Sequence, residues 1–226
     1  MKERQILFFA PMVRAILDGT KTQTRRIVKP PRGQELVNLC EAEGDDRYSG
    51  RNDDPLSWGF QFYDDCAPAP LADWLNLCPY GQAIDRLYVR EAWRTYESLD
   101  HVPPRSIAAG AGVQYEAGGT NVRSASDRLH GMGRLRRGIH MPRWASRIDL
   151  EIIGVRVERL QRISDADAVA EGIGLNANAK GVPSTIPAGE TLPRLLYADL
   201  WDRINGAGSW NADPWVWVVE FKRVKP

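Results

Sequence analysis

Hydrophobic positions along this chain change period several times, and each change marks an expected element. Residues 5–9 (QILFF) read as a first strand. Pro11 suits the first turn of a helix, where its missing N–H costs nothing, and Val13, Ile16 and Leu17 then share one face. Gly19 stands where a helix takes a left-handed residue after its last turn. A second short strand is expected at Ile27 and Val28, stopped by Pro30 and Pro31. From 32 to 79 no period survives, and Asp, Gly and Pro are frequent. A structureless loop of that length is unusual in a compact domain, and its aromatic residues (Trp58, Phe60, Phe62, Tyr63 and Trp74) argue for a packed insertion. Within it residues 57–62 alternate, as an edge hairpin strand would.

The pattern returns at 86–91, a strand with Leu87 and Val89 inward, followed at once by Trp93. Residues 100–138 are again irregular, heavy in Gly, Ser and Arg. The longest strand signal alternates through Ile148, Leu150 and Ile152, then continues on the opposite parity through Ile153, Val155 and Val157. A parity switch at Gly154 is what a bulge or corner produces. Ser164 with Asp167 three residues on has capping-box spacing and opens a short helix ending at Glu171 and Gly172. After a Gly/Pro/Ser-rich loop, 174–189, the strongest amphipathic helix runs through Leu192, Leu195, Leu196, Leu200, Trp201 and Ile204 to Gly206. The last strand alternates Trp215, Trp217, Val219 and Phe221 against Val216, Val218, Glu220 and Lys222. Five or six short strands with two or three helices describe an α+β chain, a small mixed barrel in one domain over 1–226. Two long insertions lie at approximately 32–79 and 97–143.

Charge adds little: 30 basic and 29 acidic residues leave a net charge of +1, so no global field draws the chain to nucleic acid. The exception is local. Arg123, Arg128, Arg134, Arg136, Arg137, Arg143 and Arg147 face only Asp127 between 121 and 147. Such an excess suits a phosphate backbone, and equally suits a solvated loop balanced by the acidic 41–65 segment. Cys40, Cys66 and Cys78 form no close pair, which fits a reducing compartment. With His101, His130 and His140 they show no zinc-ligand spacing, so no metal is expected. No glycine-rich phosphate loop occurs, so no nucleotide cofactor is expected. No apolar run reaches membrane-spanning length, and the chain reads as soluble and cytoplasmic with no membrane partner.

The densest chemistry lies between Gly19 and Arg26. A short helix ending at Gly19 would deliver Lys21, Thr20, Thr22, Thr24, Arg25 and Arg26 onto the following turn. Taken singly, each is a common solvated loop residue. Together they supply an amine and a hydroxyl a few residues apart, amid guanidinium groups. A lysine whose proton is loosened by burial or neighbouring cations can deprotonate a hydroxyl and create a nucleophile.

This stretch, from Ile16 to Arg26, resembles the opening signature of ASCH domains, which belong to the PUA-like group of β-barrels. The resemblance resumes at Gly81 to Glu91 and at Ile163 to Gly172, and closes at Trp215 to Phe221, in the family's order. The chain looks like the long form found in phage and prophage genomes. Where the family carries Gly-Asp before its second-block strand, this chain has Ile84-Asp85. The resemblance implies a PUA-like small mixed β-barrel with flanking helices. It further implies the chemistry of the related N4-acetylcytidine amidohydrolases: Thr24 as nucleophile, Lys21 as its base, and Glu171 holding the lysine or the leaving amine. The expected substrate is an acylated cytosine nucleoside, cleaved to cytidine and a carboxylic acid without a cofactor. The oxyanion would be met by backbone N–H groups at the Gly19 turn or by Arg26. Phe9 and Trp93 are candidates to stack the base, whereas the alternation around Trp217 marks it as core. The competing expectation is an RNA-binding module or ribonuclease of the same group, contacting phosphates through Arg134, Arg136 and Arg137.

Overall fold

The computed structural model describes residues 1–30, 34–38, 58–62, 69–70, 75, 78–120, 131–174 and 186–224. Cys40, Cys66, Arg123, Asp127, Arg128, His130, the acidic 41–57 stretch and residues 175–185 lie outside them, as do the side chains of the 32–74 aromatic residues. In chain order the elements are β1 (Glu3–Leu7), α1 (Ala10–Leu17), β2 (Gln23–Ile27), β3 (Gln34–Asn38), β4 (Trp58–Phe62), β5 (Ala69–Pro70) and β6 (Arg86–Arg90). They continue with β7 (Trp93–Arg94), β8 (Gln114–Tyr115), β9 (Asp149–Arg159), α2 (Asp165–Ala170), α3 (Leu192–Asn205) and β10 (Trp215–Val224). The architecture is α+β. A mixed five-stranded sheet has the order β1-β6-β9-β10-β2, while β3-β4-β5 and β7-β8 form sheets of their own. The small barrel expected from the sequence does not close among the described residues. Strands β3, β4, β5, β7 and β8 pair with one another instead of joining the five.

The chain divides into two compact units, and β9 and β10 each run through the division. Unit one comprises Met1–Lys21, Ile84–Ile152 and Phe221–Pro226; unit two comprises Thr22–Ala83 and Ile153–Glu220. In unit one β1 lies parallel to β6 with Ile6 opposite Val89, and β6 lies antiparallel to the start of β9 with Leu87 opposite Leu150. The expected alternation holds: Leu87, Val89, Ile148, Leu150 and Ile152 are buried. Helix α1 has Pro11 in its first turn, buries Val13, Ala15 and Ile16, and is followed by Gly19 at φ +78°. The 97–143 region, read as irregular, contributes a core of its own. Trp93, Ile107, Val113, Tyr115, Met141 and Ala145 cluster there, and the Tyr115 hydroxyl donates to the Ala145 carbonyl at 2.9 Å. Short 3-10 turns and the β7-β8 pair carry these residues, which explains why no helix or strand period announces them.

Unit two shows two departures from expectation. Strand β2 begins at Gln23, inside the stretch read as a turn, because its backbone pairs antiparallel with β10, Thr24 opposite Val219 and Ile27 opposite Val216. Strand β4 is not an edge strand but the middle of its sheet, with Leu36 opposite Phe60 on one side and Ala69 on the other. The unit's core gathers Leu160, Ile163, Ala168, Tyr197, Trp201, Val216 and Val218. Helix α2 is capped as expected: the Ser164 hydroxyl accepts from the Asp167 N–H at 3.1 Å. Helix α3 buries Leu196, Tyr197 and Trp201 and ends at Gly206, φ +106°. Strand β10 is buried on both faces from Trp215 to Val219, so its alternating pattern separates two packed faces, not a dry face from a wet one. Among the described residues no helix is long and apolar enough to cross a membrane.

Candidate functional site

Alternation along β2 puts Gln23 and Arg25 on one face and Thr24 on the other. All three are buried, an unusual composition for a strand interior. The Arg25 side chain is 0% exposed and reaches three carboxylates. Its Nη2 donates to Glu158 Oε1 at 2.6 Å and Asp167 Oδ2 at 3.0 Å, its Nε to Glu158 Oε1 at 3.1 Å, and its Nη1 to Glu171 Oε1 at 3.4 Å. Around this centre the Gln23 amide donates to the Asp167 carbonyl at 2.8 Å. Arg156 bridges Glu158 at 3.1 Å, Asp167 at 3.0 Å and Glu220. A buried guanidinium with its fork filled by carboxylates joins β2 to β9 and to α2. Burial works to lower the Arg25 pKa, but Glu171 and Glu158 outweigh it and the group is held above its ordinary value. Burial likewise pushes the Tyr197 hydroxyl far up, reinforced by Glu171, so this tyrosine beside the network stays neutral.

Thr24 is 3% and Glu171 4% exposed, both in unit two. Glu171 is the C-cap of α2, its N–H donating to the Asp167 carbonyl, and Gly172 follows at φ +85°. Lys21 belongs to unit one and is 2% exposed, its ammonium 5.5 Å from the centroid of the buried Phe8 ring. The turn that leads to it is closed by its own backbone. The N–H of Gly19 donates to Ile16, and those of Thr20 and Lys21 to Ala15, so these donors serve the helix end and not an oxyanion. Arg26 is half-buried on β2 opposite Trp217, and Trp217 is core, as read from its alternation.

The two aromatic candidates part company. Phe9 is 59% exposed at the head of α1. Trp93 is 0% exposed, with Trp144 edge-on at 6.3 Å and the Arg136 guanidinium 5.8 Å from its ring; it is a core residue, enclosed by protein on its faces.

The arginine-rich stretch is largely spoken for within unit one. Arg136, expected to meet a phosphate, is buried and donates to the carbonyls of Leu99 at 2.7 Å and Val102 at 3.3 Å. Arg143 binds Glu3 and Asp149, and Arg147 grips the buried Glu91 through two bonds of 2.8 and 3.0 Å while lying 4.0 Å from the Tyr115 ring centroid. Burial raises the Glu91 pKa and Arg147 opposes it. Arg134 and Arg137 remain exposed.

The sequence drew attention to Lys21, Thr24 and Glu171 but not to the Arg25 network. Arg25 reads there as a cationic neighbour and a planar donor for a nucleotide or carbonyl group, Asp167 only as a capping residue, and Glu158 not at all. A usable signal was present: Arg156 and Glu158 sit two apart on one face of β9, matching Gln23 and Arg25 two apart on β2. No cluster of three His, Cys, Asp or Glu suited to a metal occurs among the described residues. No family model, no curated protein and no solved structure matches this chain.

Proposed function

We propose that this protein is an ASCH-type, PUA-like amidohydrolase of the cytoplasm that removes the acyl group from the N4 amine of acylated cytosine nucleosides. The observation that supports this reading most is the burial of Lys21, Thr24 and Glu171, an amine, a hydroxyl and a carboxylate each under 5% exposed. In the proposed reaction Thr24 Oγ attacks the acyl carbon while the Lys21 amine takes the hydroxyl proton. The tetrahedral adduct then collapses: the C–N4 bond breaks, Lys21 returns the proton to N4, and cytidine leaves a threonyl ester. Water attacks that ester, again giving its proton to Lys21; the acyl C–Oγ bond breaks, Lys21 returns the proton to Thr24 Oγ, and the carboxylic acid departs. Glu171 holds the leaving amine, Arg26 supplies a donor to the substrate, and the exposed Phe9 offers a stacking face for the base.

The competing RNA reading rests on Arg134 and Arg137, since Arg136, Arg143 and Arg147 have intramolecular partners. The deciding experiment follows the ultraviolet absorbance of N4-acetylcytidine and its longer acyl analogues mixed with the pure protein. Conversion to cytidine and free acid is expected. A preparation that leaves every analogue intact while binding RNA would replace this reading with the other.

A further inference from the structure

Among the described residues of unit two, Arg25 is a cation whose side chain is wholly enclosed, and three carboxylates from two elements meet on it. Glu158 comes from β9, Asp167 from α2, and Glu171 from the C-cap of that helix. Its placement on β2 is fixed in turn by the ladder to β10, with Arg25 opposite Val218, and by Gln23, which holds the Asp167 carbonyl from the same face. Thr24, between Gln23 and Arg25, therefore shares its strand segment with the group that holds Glu171. Any shift of the Arg25 fork moves the end of α2 relative to β2.

We infer that Arg25 is a positioning residue for the proposed reaction, one that fixes the Glu171 carboxylate against the strand carrying Thr24. This rests on the amidohydrolase reading above. Being 0% exposed, the Arg25 side chain does not touch substrate, so its effect passes through Glu171. A lysine in its place would supply one point charge where three carboxylates are now met by a planar fork, and would restore the geometry only in part.

The test is steady-state kinetics on N4-acetylcytidine for the unmodified protein and three variants, each first shown to be folded by circular dichroism. Arg25→Met alone leaves three carboxylates without their cation and can unfold the protein. The double variant Arg25→Met/Glu158→Gln removes one charge of each sign and keeps the network's net charge. In the double variant kcat should fall about 100-fold, the scale expected when a reacting group is misplaced by about 1 Å, while KM changes less than about threefold. Arg25→Lys should recover part of that loss. A folded double variant with undiminished kcat, or one in which only KM rises, would overturn the positioning role while leaving the amidohydrolase reading intact. An unmodified protein that turns over none of the acylcytidines removes that reading, and this inference falls with it.

Discussion

Removing Arg25 from its network leaves the buried Glu171 carboxylate without this cation, which in comparable settings costs about 3–5 kcal/mol. The sign of one pH effect follows from the same contacts. Burial pushes the Asp167 carboxyl up, but Arg25, Gln23 and Arg156 outweigh it and hold it below its usual value of 3.8. A carboxyl with a lowered folded-state pKa adds stability that is fully present above 3.8 and is lost as pH falls through the lower folded value. Urea unfolding of the unmodified protein should therefore show this loss as pH falls below 3.8. In Asp167→Asn that part of the decline should vanish, narrowing the gap between the two proteins as pH drops. A gap that stays constant through the window would show that the carboxyl is not held by its cations.

The turn entering β6 carries a conflict between residue and backbone. Ile84 adopts φ +78° with its side chain 70% exposed, and its N–H donates to the Ile152 carbonyl at 2.9 Å. A β-branched residue is strained in that region, where glycine is at ease. Ile84→Gly should thus raise stability by about 0.5–1 kcal/mol, read as a higher thermal midpoint; an unchanged or lowered midpoint would contradict the strain. This site also shows what was legible in the sequence. The absence of glycine before Asp85 was visible, and so were α1, α2, α3, β6, β9 and β10, since their signals are local: periodic apolar positions, Pro11, the Ser164 cap and the terminal glycines. The start of β2 was hidden because Gln23, Thr24 and Arg25 look like a polar turn until their tertiary partners are known. Trp93 looked like a recognition residue beside a polar block because the core that encloses it is assembled from 3-10 turns and two-residue strands without a period. Of the candidate site, the residue types were legible and the guanidinium network was not, since Glu158 and Arg25 are 133 residues apart.

At the scale of the whole molecule the near-balance of charge holds locally as well. Arg136, Arg143 and Arg147 meet Asp100, Glu3, Asp149 and Glu91, which leaves Arg134 and Arg137 facing solvent among the described arginines of 121–147. If the substrate is a free nucleoside, replacing both by alanine should leave its turnover unchanged. Activity should also vary less than about twofold between about 50 and 200 mM salt. A steep fall over that range, flattened by the double substitution, would instead mark a polyanionic substrate. The central claim, that Thr24 is the nucleophile of an amidohydrolase, is tested most directly by the rate at which N4-acetylcytidine is consumed by the unmodified protein, Thr24→Ser and Thr24→Ala. Measurable turnover is predicted for the first, a rate within about tenfold of it for Thr24→Ser, and a loss of at least about 100-fold for a folded Thr24→Ala. A folded Thr24→Ala as active as the unmodified protein would contradict the account.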